Sequence, residues 1–428
     1  MLALAGLLTI LLVLAAIMTK WLSPFVALAV IPLAAALLLG QGHLAGGFML
    51  QGLEAVAPMG AMFLFAILFF SILSSAGLFR PLVSLIIRAT RDDPPRVALG
   101  TAILTSIVHL DGAGASTFLI VIPPLVPVYD RLGLDRRMLA AIVAMAAGVG
   151  NMLPWGGPAL RAATALQVPV MDFFAPLVPV YVVGLLTLLG LSWWIGWRHR
   201  QPATASGPAF APAMGQDEDP VPLDWRYWTN VVMVVAVLGA MLTSLLHPAI
   251  AFMLGTIAAL MVNLRGAGAQ GEALEKHAPA AISMIAILLA AGTFTGILRG
   301  TGMLDAMAHA GAGLLPAGVA GHLPVLTGLA SMPLSLAFDP DSFYFGVLPI
   351  LAGVAEASGV PAVDVGRAAV LGQMTTGFPV SPLTPATFLL VGLAGIGLAD
   401  HQRYAIGYLF GLSVVMTIAA VAFGVFPL

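Results

Sequence analysis

The fold class this sequence predicts is an all-α polytopic membrane protein, built from two inverted repeats of about five transmembrane helices, each with a re-entrant hairpin and a broken helix. Three observations predict it. The chain is 60% hydrophobic and only 8% charged, with a mean hydropathy of +1.03, and no water-soluble surface can be built from that composition. Several apolar runs approach the roughly 17–25 residues that cross a bilayer. Hydrophobic segments broken by Pro and Gly also recur about 225 residues apart. NMLPWGGP at 151–158 answers GFPVSPLTP at 377–385, with Pro154 opposite Pro379, and DGAGAST at 111–117 answers DPDSF at 339–343. Further upstream, 70–78 answers 295–303 and 19–24 answers 243–248. Paired, interrupted segments in two halves are the sequence mark of a secondary transporter's binding site.

In chain order, residues 2–18 form the first apolar span. No basic residue precedes it and Lys20 follows it, which predicts a retained helix rather than a cleaved signal peptide. Spans follow near 25–39 and 58–76, then an amphipathic piece at 80–90. Residues 97–110 and 115–128 are each too short to cross comfortably and meet at the polar turn HLDGAG, a re-entrant hairpin. A broken span at 138–166 and a full span at 173–197 complete the first repeat, 1–197. Residues 198–225, rich in Pro, Ala and Ser with an acidic run from Asp217 to Asp219, read as a cytoplasmic linker that cannot bury a core. The second repeat, 226–428, restates the order. It has spans near 228–245, 249–264 and 280–298, an amphipathic piece from 303, and a hairpin over 323–354 with its tip at 338–342. A broken span at 365–393 and a last span at 404–426 close it. An odd number of crossings per unit makes the copies inverted.

Charge orients the chain and excludes some functions. With the N-terminus outside, every Lys and Arg falls at a cytoplasmic end except Arg299 and Arg367 outside and Arg161 within a span. The first hairpin then opens from the cytoplasm and the second from outside. A net charge of -2 gives no electrostatic case for nucleic acid. The absence of cysteine excludes disulfides and thiolate metal sites. There is no HExxH, Walker A loop or GxSxG to support an ATP-driven pump or a motif-bearing hydrolase.

Each tip and break frees backbone groups at membrane depth, where they must be packed in protein or line a wet cavity. Helices restarting after 114, 157, 340 and 384 would present four N-termini, whose free N–H groups favour an anion. Pro158, Pro340 and Pro385 suit first turns, and Gly156 with Gly157 allows close backbone approach. Hydroxyls and amides gather at the same places: Ser116, Thr117 and Asn151, then Ser342, Gln373, Thr375, Thr376, Ser381, Thr384 and Thr387. Each has the alternative of bonding back to its own helix. Asp111, Asp339 and Asp341 lie at the tips, with His109 beside the first, and intramembrane charges are functional candidates by default. Arg161 would pair with a substrate carboxylate or with a tip aspartate. For His109 a hydrogen-bonded structural imidazole competes with a metal or proton role. The candidate substrate contacts are thus Ser116, Thr117, Asn151, Gly156, Gly157, Arg161, Ser342, Thr375, Thr376, Ser381 and Thr384. His109, Asp111, Asp339 and Asp341 are the candidates for metal or proton coupling.

The strings HLDGAGASTFLI, NMLPWGGPALRAA, FDPDSFYFGVLP and QMTTGFPVSPLTPATFLLVGLAG resemble those of the citrate-metal:proton symporter family, CitMHS, within the wider ion-transporter superfamily. The similarity runs from the first span to the last, with the linker lacking a counterpart. The resemblance implies import of citrate complexed with a divalent cation of the Mg or Ca type, coupled to protons, through an elevator-like domain made of hairpins and broken spans. It also implies a multi-pass protein of the cell (inner) membrane, a homodimer as in elevator relatives, and no cofactor beyond the metal carried with the substrate. Related carriers bind carboxylate and sodium with Ser-Asn-Thr motifs at both tips. Here the stretches read Ala115, Ser116, Thr117 and Asp341, Ser342, Phe343, a departure that weighs against sodium coupling. A sodium-coupled di- or tricarboxylate carrier is the alternative within transport, and a membrane-embedded enzyme or a channel the alternative outside it.

Overall fold

A computed structural model describes residues 1–90, 93–199, 224–243, 245–313 and 319–428. Of the described residues 82% are helical and none lies in a strand. The first half opens with α1 (Leu2–Met18), α2 (Pro24–Leu38) and the long α3 (Gly42–Ser75). Ser23 starts α2 by accepting from Val26 N, with Pro24 in the first turn. The amphipathic α4 (Arg80–Ala89) leads into α5 (Pro94–Val108), a 3-10 turn at His109–Asp111 and α6 (Gly114–Arg131). Then come α7 (Arg136–Gly150), capped by Asp135 on Arg137 N, α8 (Gly157–Leu166), α9 (Val170–Phe174) and α10 (Val178–Arg198).

The second half repeats the sequence of shapes. Asp224 caps α11 (Trp225–Leu242), followed by α12 (Pro248–Asn263), α13 (Ala267–Gly300) and α14 (Met303–Ala312). The second hairpin is α15 (Leu323–Leu334), then α16 (Pro340–Ser342), which passes through a π-helical turn, Phe343–Val347, into α17 (Leu348–Ala357). Next are α18 (Ala362–Val370), a 3-10 turn at Phe378–Val380, α19 (Pro385–Ala394) and α20 (Leu398–Ala422). The expected breaks are present, at 151–156 and at 371–384, the second starting earlier than the sequence reading placed it.

Two expected spans are corrected. The segments read as 58–76 and 280–298 are the C-terminal parts of α3 and α13, each 34 residues long, with Pro58 and Pro279 inside them. A proline removes one backbone bond, and tight packing against a neighbouring helix tolerates that loss. By length and composition, Gly42–Ser75, Val170–Arg198, Ala281–Gly300 and Leu398–Ala422 can cross a membrane. Other apolar helices, such as Leu2–Ile17 and Pro248–Asn263, are shorter. The expected linker, its acidic run, Arg91 and Arg200 lie in 91–92 and 200–223, outside the described residues, save for the linker's ends.

The helices sort into two packed groups. In one, α3 lies chiefly against α13 and α12, with α1, α2 and α11 around them. In the other, α5, α6, α7, α8, α10 and α15 to α20 pack among themselves, while α14 touches both α1 and α17. The α3–α13 crossing is made backbone to backbone. A Cβ on Gly52 would sit 2.0 Å from Gly292 O, and one on Gly296 would sit 2.2 Å from Phe48 O. Gly292, Gly296 and Gly300 recur every four residues, so one face of α13 carries no side chain and dispersion contacts replace a hydrophobic drive that lipid does not supply.

Candidate functional site

The two tips and two breaks meet inside the second helix group. At the first tip, Asp111 Oδ1 accepts from Ala113 N at 2.9 Å and its Oδ2 accepts from Ser116 Oγ, while Gly112 takes φ +68° to turn the chain. At the second tip, Asp339 Oδ1 accepts from Asp341 N and Ser342 N, both at 3.0 Å, and Oδ2 accepts from Ser342 Oγ at 2.6 Å. Each tip is therefore tied by an aspartate, Asp111 closing the turn before α6 and Asp339 the free N–H groups of α16. Asp111 and Asp339, expected as coupling residues, spend their oxygens on these turns.

The first tip is bolted to the first break. Trp155 Nε1 donates to Leu110 O at 2.7 Å. His109 Nε2 lies 3.0 Å from Asn151 Oδ1, and Asn151 Nδ2 donates to Met374 O at 3.1 Å. With the amide so directed, the imidazole carries its proton on Nε2 and accepts from Thr117 Oγ1, 2.8 Å from Nδ1. Both ring nitrogens of His109 are thus taken by hydrogen bonds. Met374 adopts φ +55° to present its carbonyl, a costly conformation for a side-chain-bearing residue and one that concentrates at functional sites. Through Asn151 the first break touches the second.

The second tip reaches both breaks. Arg161 Nε donates to Asp341 Oδ1 at 2.7 Å, the two side chains being 7% and 10% exposed, and thereby joins α8 to α16. Of the two partners open to Arg161, this structure holds the tip aspartate. Tyr344 Oη donates to Gln373 O at 2.7 Å, and Ser335 Oγ to Gln373 Oε1 at 3.0 Å. Ser381 Oγ donates to Ser335 O at 2.6 Å, while Thr384 Oγ1 donates to Phe378 O at 2.8 Å and shares a bond with Thr387. Phe378 stacks between His109 and Phe118, at 6.4 and 6.1 Å between centroids. The glycines of the first break are filled by the chain itself. A Cβ on Gly156 would lie 2.4 Å from Asn151 O, and one on Gly157 would lie 2.9 Å from the Arg161 guanidinium.

Thr375 and Thr376 stand apart from this satisfied network. Both are fully buried beside Asn151's partner Met374, and neither hydroxyl has a hydrogen-bond partner. A buried hydroxyl without a partner costs about 1–3 kcal/mol, so the pair is the set of groups here that gains most from an oxygen-rich ligand. Trp155, Ser335, Tyr344, Met374 and Phe378 were not among the sequence candidates. Trp155 and Phe378 lie within the break strings but carry no charge, and Ser335 and Tyr344 lie outside those strings. Among the described residues, no group of three or more His, Asp or Glu is gathered as a metal cluster.

The face toward the first helix group is mostly apolar. Trp155 lies 6.4 Å from Phe70 on α3 and 5.6 Å from Phe252 on α12, and Met59 and Met284 lie against Thr164 and Arg161. At its edge, Arg299 of α13 donates to Gln167 Oε1 at 2.7 Å and to Leu166 O at 3.1 Å, at the end of α8.

Comparison with known proteins places this architecture. A family model described as citrate transporter, CitMHS, matches residues 9–372. Two proteins of Bacillus subtilis (strain 168) are similar along essentially their whole length. One, a citrate transporter, is 40% identical over 425 residues, covering 99% of each chain. The other, a Mg(2+)/citrate complex secondary transporter, is 36% identical over 434 residues, again covering 99% of each. Two solved transporters share the fold at low identity. They are YdaH of Alcanivorax borkumensis (TM-score 0.62, 18% identity, 88% of this chain and 87% of that one) and MtrF of Neisseria gonorrhoeae (TM-score 0.64, 15% identity, 91% and 84%). From the family match and the full-length relatives, the chain belongs to the citrate transporter family, CitMHS, and is a membrane transport protein rather than an enzyme.

Proposed function

We propose that this protein imports citrate as its complex with a divalent cation of the Mg or Ca type across the cell (inner) membrane, coupled to protons. The substrate occupies the junction of the two tips and two breaks, with Thr375 and Thr376 as contacts. The observation that carries this reading is the charge of that junction. Arg161 is already matched by Asp341, and Asp111 and Asp339 stand nearby at the tips, so the site holds more carboxylates than cations. Bare citrate carries about three negative charges near neutral pH, its carboxyls having pKa values like those of Asp and Glu. Such a site repels the trianion and accepts a complex of about one net negative charge. The metal arrives held by citrate and needs only supplementary oxygens, which hydroxyls supply. The similarity to a Mg(2+)/citrate transporter supports the same choice.

The matching order of the two halves, with paired 34-residue helices and aspartate-tied tips, supports inverted repeats. In this reading α3, α13 and their neighbours form the static frame, and the group carrying the tips and breaks moves against its apolar face. The test is uptake of labelled citrate into proteoliposomes of the purified protein. Uptake is expected to require a divalent cation and to follow a proton gradient rather than a sodium gradient. Equal uptake with all divalent metals chelated would refute the complex as substrate.

A further inference from the structure

The 3-10 turn of the second break has three successive carbonyls, and side chains hold each of them. Phe378 O accepts from Thr384 and Thr387. Pro379 O lies 2.9 Å from His401 Nε2, and Val380 O accepts from Gln402 Nε2 at 2.8 Å. His401 and Gln402 belong to α20, so the break is suspended from that helix. A carbonyl only accepts, so Nε2 bears the imidazole proton and Nδ1 is left as a lone pair. His401 is fully buried and Nδ1 has no hydrogen-bond partner. One turn along α20, the Tyr404 hydroxyl is likewise buried without a partner, under the Arg137 guanidinium, which is 5.8 Å from its ring. Residues at i and i+3 share a helix face. Buried polar atoms without partners are uncommon and call for a functional or solvent explanation. Two on one face, beside the second break, give one.

We infer that His401 is the proton-binding residue that couples proton movement to the second break. The inference deepens the proton-coupled reading above and rests on it. Nδ1 accepts one proton to form the imidazolium, and no covalent bond is made or broken elsewhere. Nε2 keeps its bond to Pro379 O, which becomes charge-assisted and tighter. Protonation therefore pins the 3-10 turn to α20 and sets the position of Thr375 and Thr376 just before it. Loss of the proton to water slackens the same bond.

The charged and titratable groups around His401 come from few elements. The elements packed on α20 bring Arg137 with its partner Asp135 at the start of α7, and Arg198 at the end of α10. Tyr129 of α6 lies nearby, and α20 itself adds Asp400, Arg403, Tyr404 and Tyr408. Neither α15, α19 nor the 3-10 turn carries a charged residue. Arg137 is neutralised by Asp135, its Nε donating to Asp135 Oδ2 at 2.7 Å, so no unmatched cation at α7 opposes the imidazolium.

The experiment compares His401→Gln with the wild type in proteoliposomes, by two assays of labelled citrate with Mg. The first is accumulation driven by a pH gradient, and the second is exchange at equal pH on both sides. A glutamine amide still donates to Pro379 O but binds no proton. Exchange is expected to stay within about twofold of wild type while gradient-driven accumulation falls about tenfold or more and loses its pH dependence. Equal loss in both assays would reduce His401 to a structural part, and undiminished accumulation would exclude it as the carrier. Tyr404→Phe, a smaller change, is expected to shift the pH profile of accumulation with exchange intact, and an unmoved profile counts against the inference. A wild type that moves no citrate, or moves citrate–Mg blind to the pH gradient, refutes the function proposed above and takes the inference with it, whereas pH-driven accumulation that persists undiminished in His401→Gln overturns the inference alone.

Discussion

Arg161 and Asp341 form a buried ion pair that bridges residues far apart in the chain, and such a pair is asymmetric in its energetics. Keeping both partners is close to neutral, whereas deleting one strands a charge at about 3–5 kcal/mol. Arg161→Ala is accordingly expected to lower the thermal midpoint and abolish citrate binding. Removing Asp341 as well should recover much of the stability and none of the binding. Arg161→Lys keeps the charge but not the planar fork and should fall between wild type and alanine. If the double variant melts no higher than Arg161→Ala, the pair is not the source of the loss. Asp111→Asn poses a different question, because the amide retains one acceptor oxygen for Ala113 N but turns a donor toward Ser116. It is expected to abolish metal-dependent uptake, and uptake of labelled citrate at normal rate by this variant would remove Asp111 from the site. Sequence showed these groups as costly intramembrane charges, yet it left the partner of Arg161 open. The choice depends on where α16 packs against α8, and no local pattern encodes that.

At the scale of elements, the breaks and tips were legible because Pro, Gly and polar residues interrupt apolar runs at places that no continuous helix tolerates. The length of α3 and α13 was not legible. The spans read from the sequence start at Pro58 and just after Pro279, and only the packing of one helix on the other explains why both prolines are interior. Gly292, Gly296 and Gly300 on α13 were a signal in plain view, a small residue every fourth position. Gly296→Leu is expected to force the two helices apart and destabilise the protein by about 3 kcal/mol or more, since overpacking meets backbone rather than a yielding side chain. Gly407→Ala in α20, with nothing within 4 Å of its new methyl, should be neutral or stabilising by up to about 1 kcal/mol. Thermal unfolding in detergent checks both, and an unchanged midpoint for Gly296→Leu would mean that the crossing is looser than drawn. His401 escaped the sequence reading although it sits near the start of an apolar helix. A lone histidine has no motif around it, and its partner, Pro379 O, is a backbone atom of another element.

For the whole molecule, the distribution of basic residues predicts that both termini lie outside and that Arg265 and the start of α13, with Lys276, lie in the cytoplasm. The native chain has no cysteine, so single replacements report cleanly. His43→Cys, exposed in the first turn of α3, should react with an impermeant reagent added to intact cells, and Arg265→Cys should not. The reverse pattern would invert the orientation.

The central claim is that the substrate binds where the tips and breaks converge, and equilibrium binding tests it most directly. Purified wild type and Thr375→Val/Thr376→Val are titrated with labelled citrate, with stoichiometric Mg and with the metal chelated, while melting is followed in parallel. The two lost hydroxyls face a charged ligand at about 1.5 kcal/mol or more each, so the variant should bind the complex at least about a hundredfold more weakly. Its stability should be unchanged or raised, since it buries two fewer unpartnered hydroxyls. Wild-type affinity in the variant would place the substrate elsewhere and contradict the account.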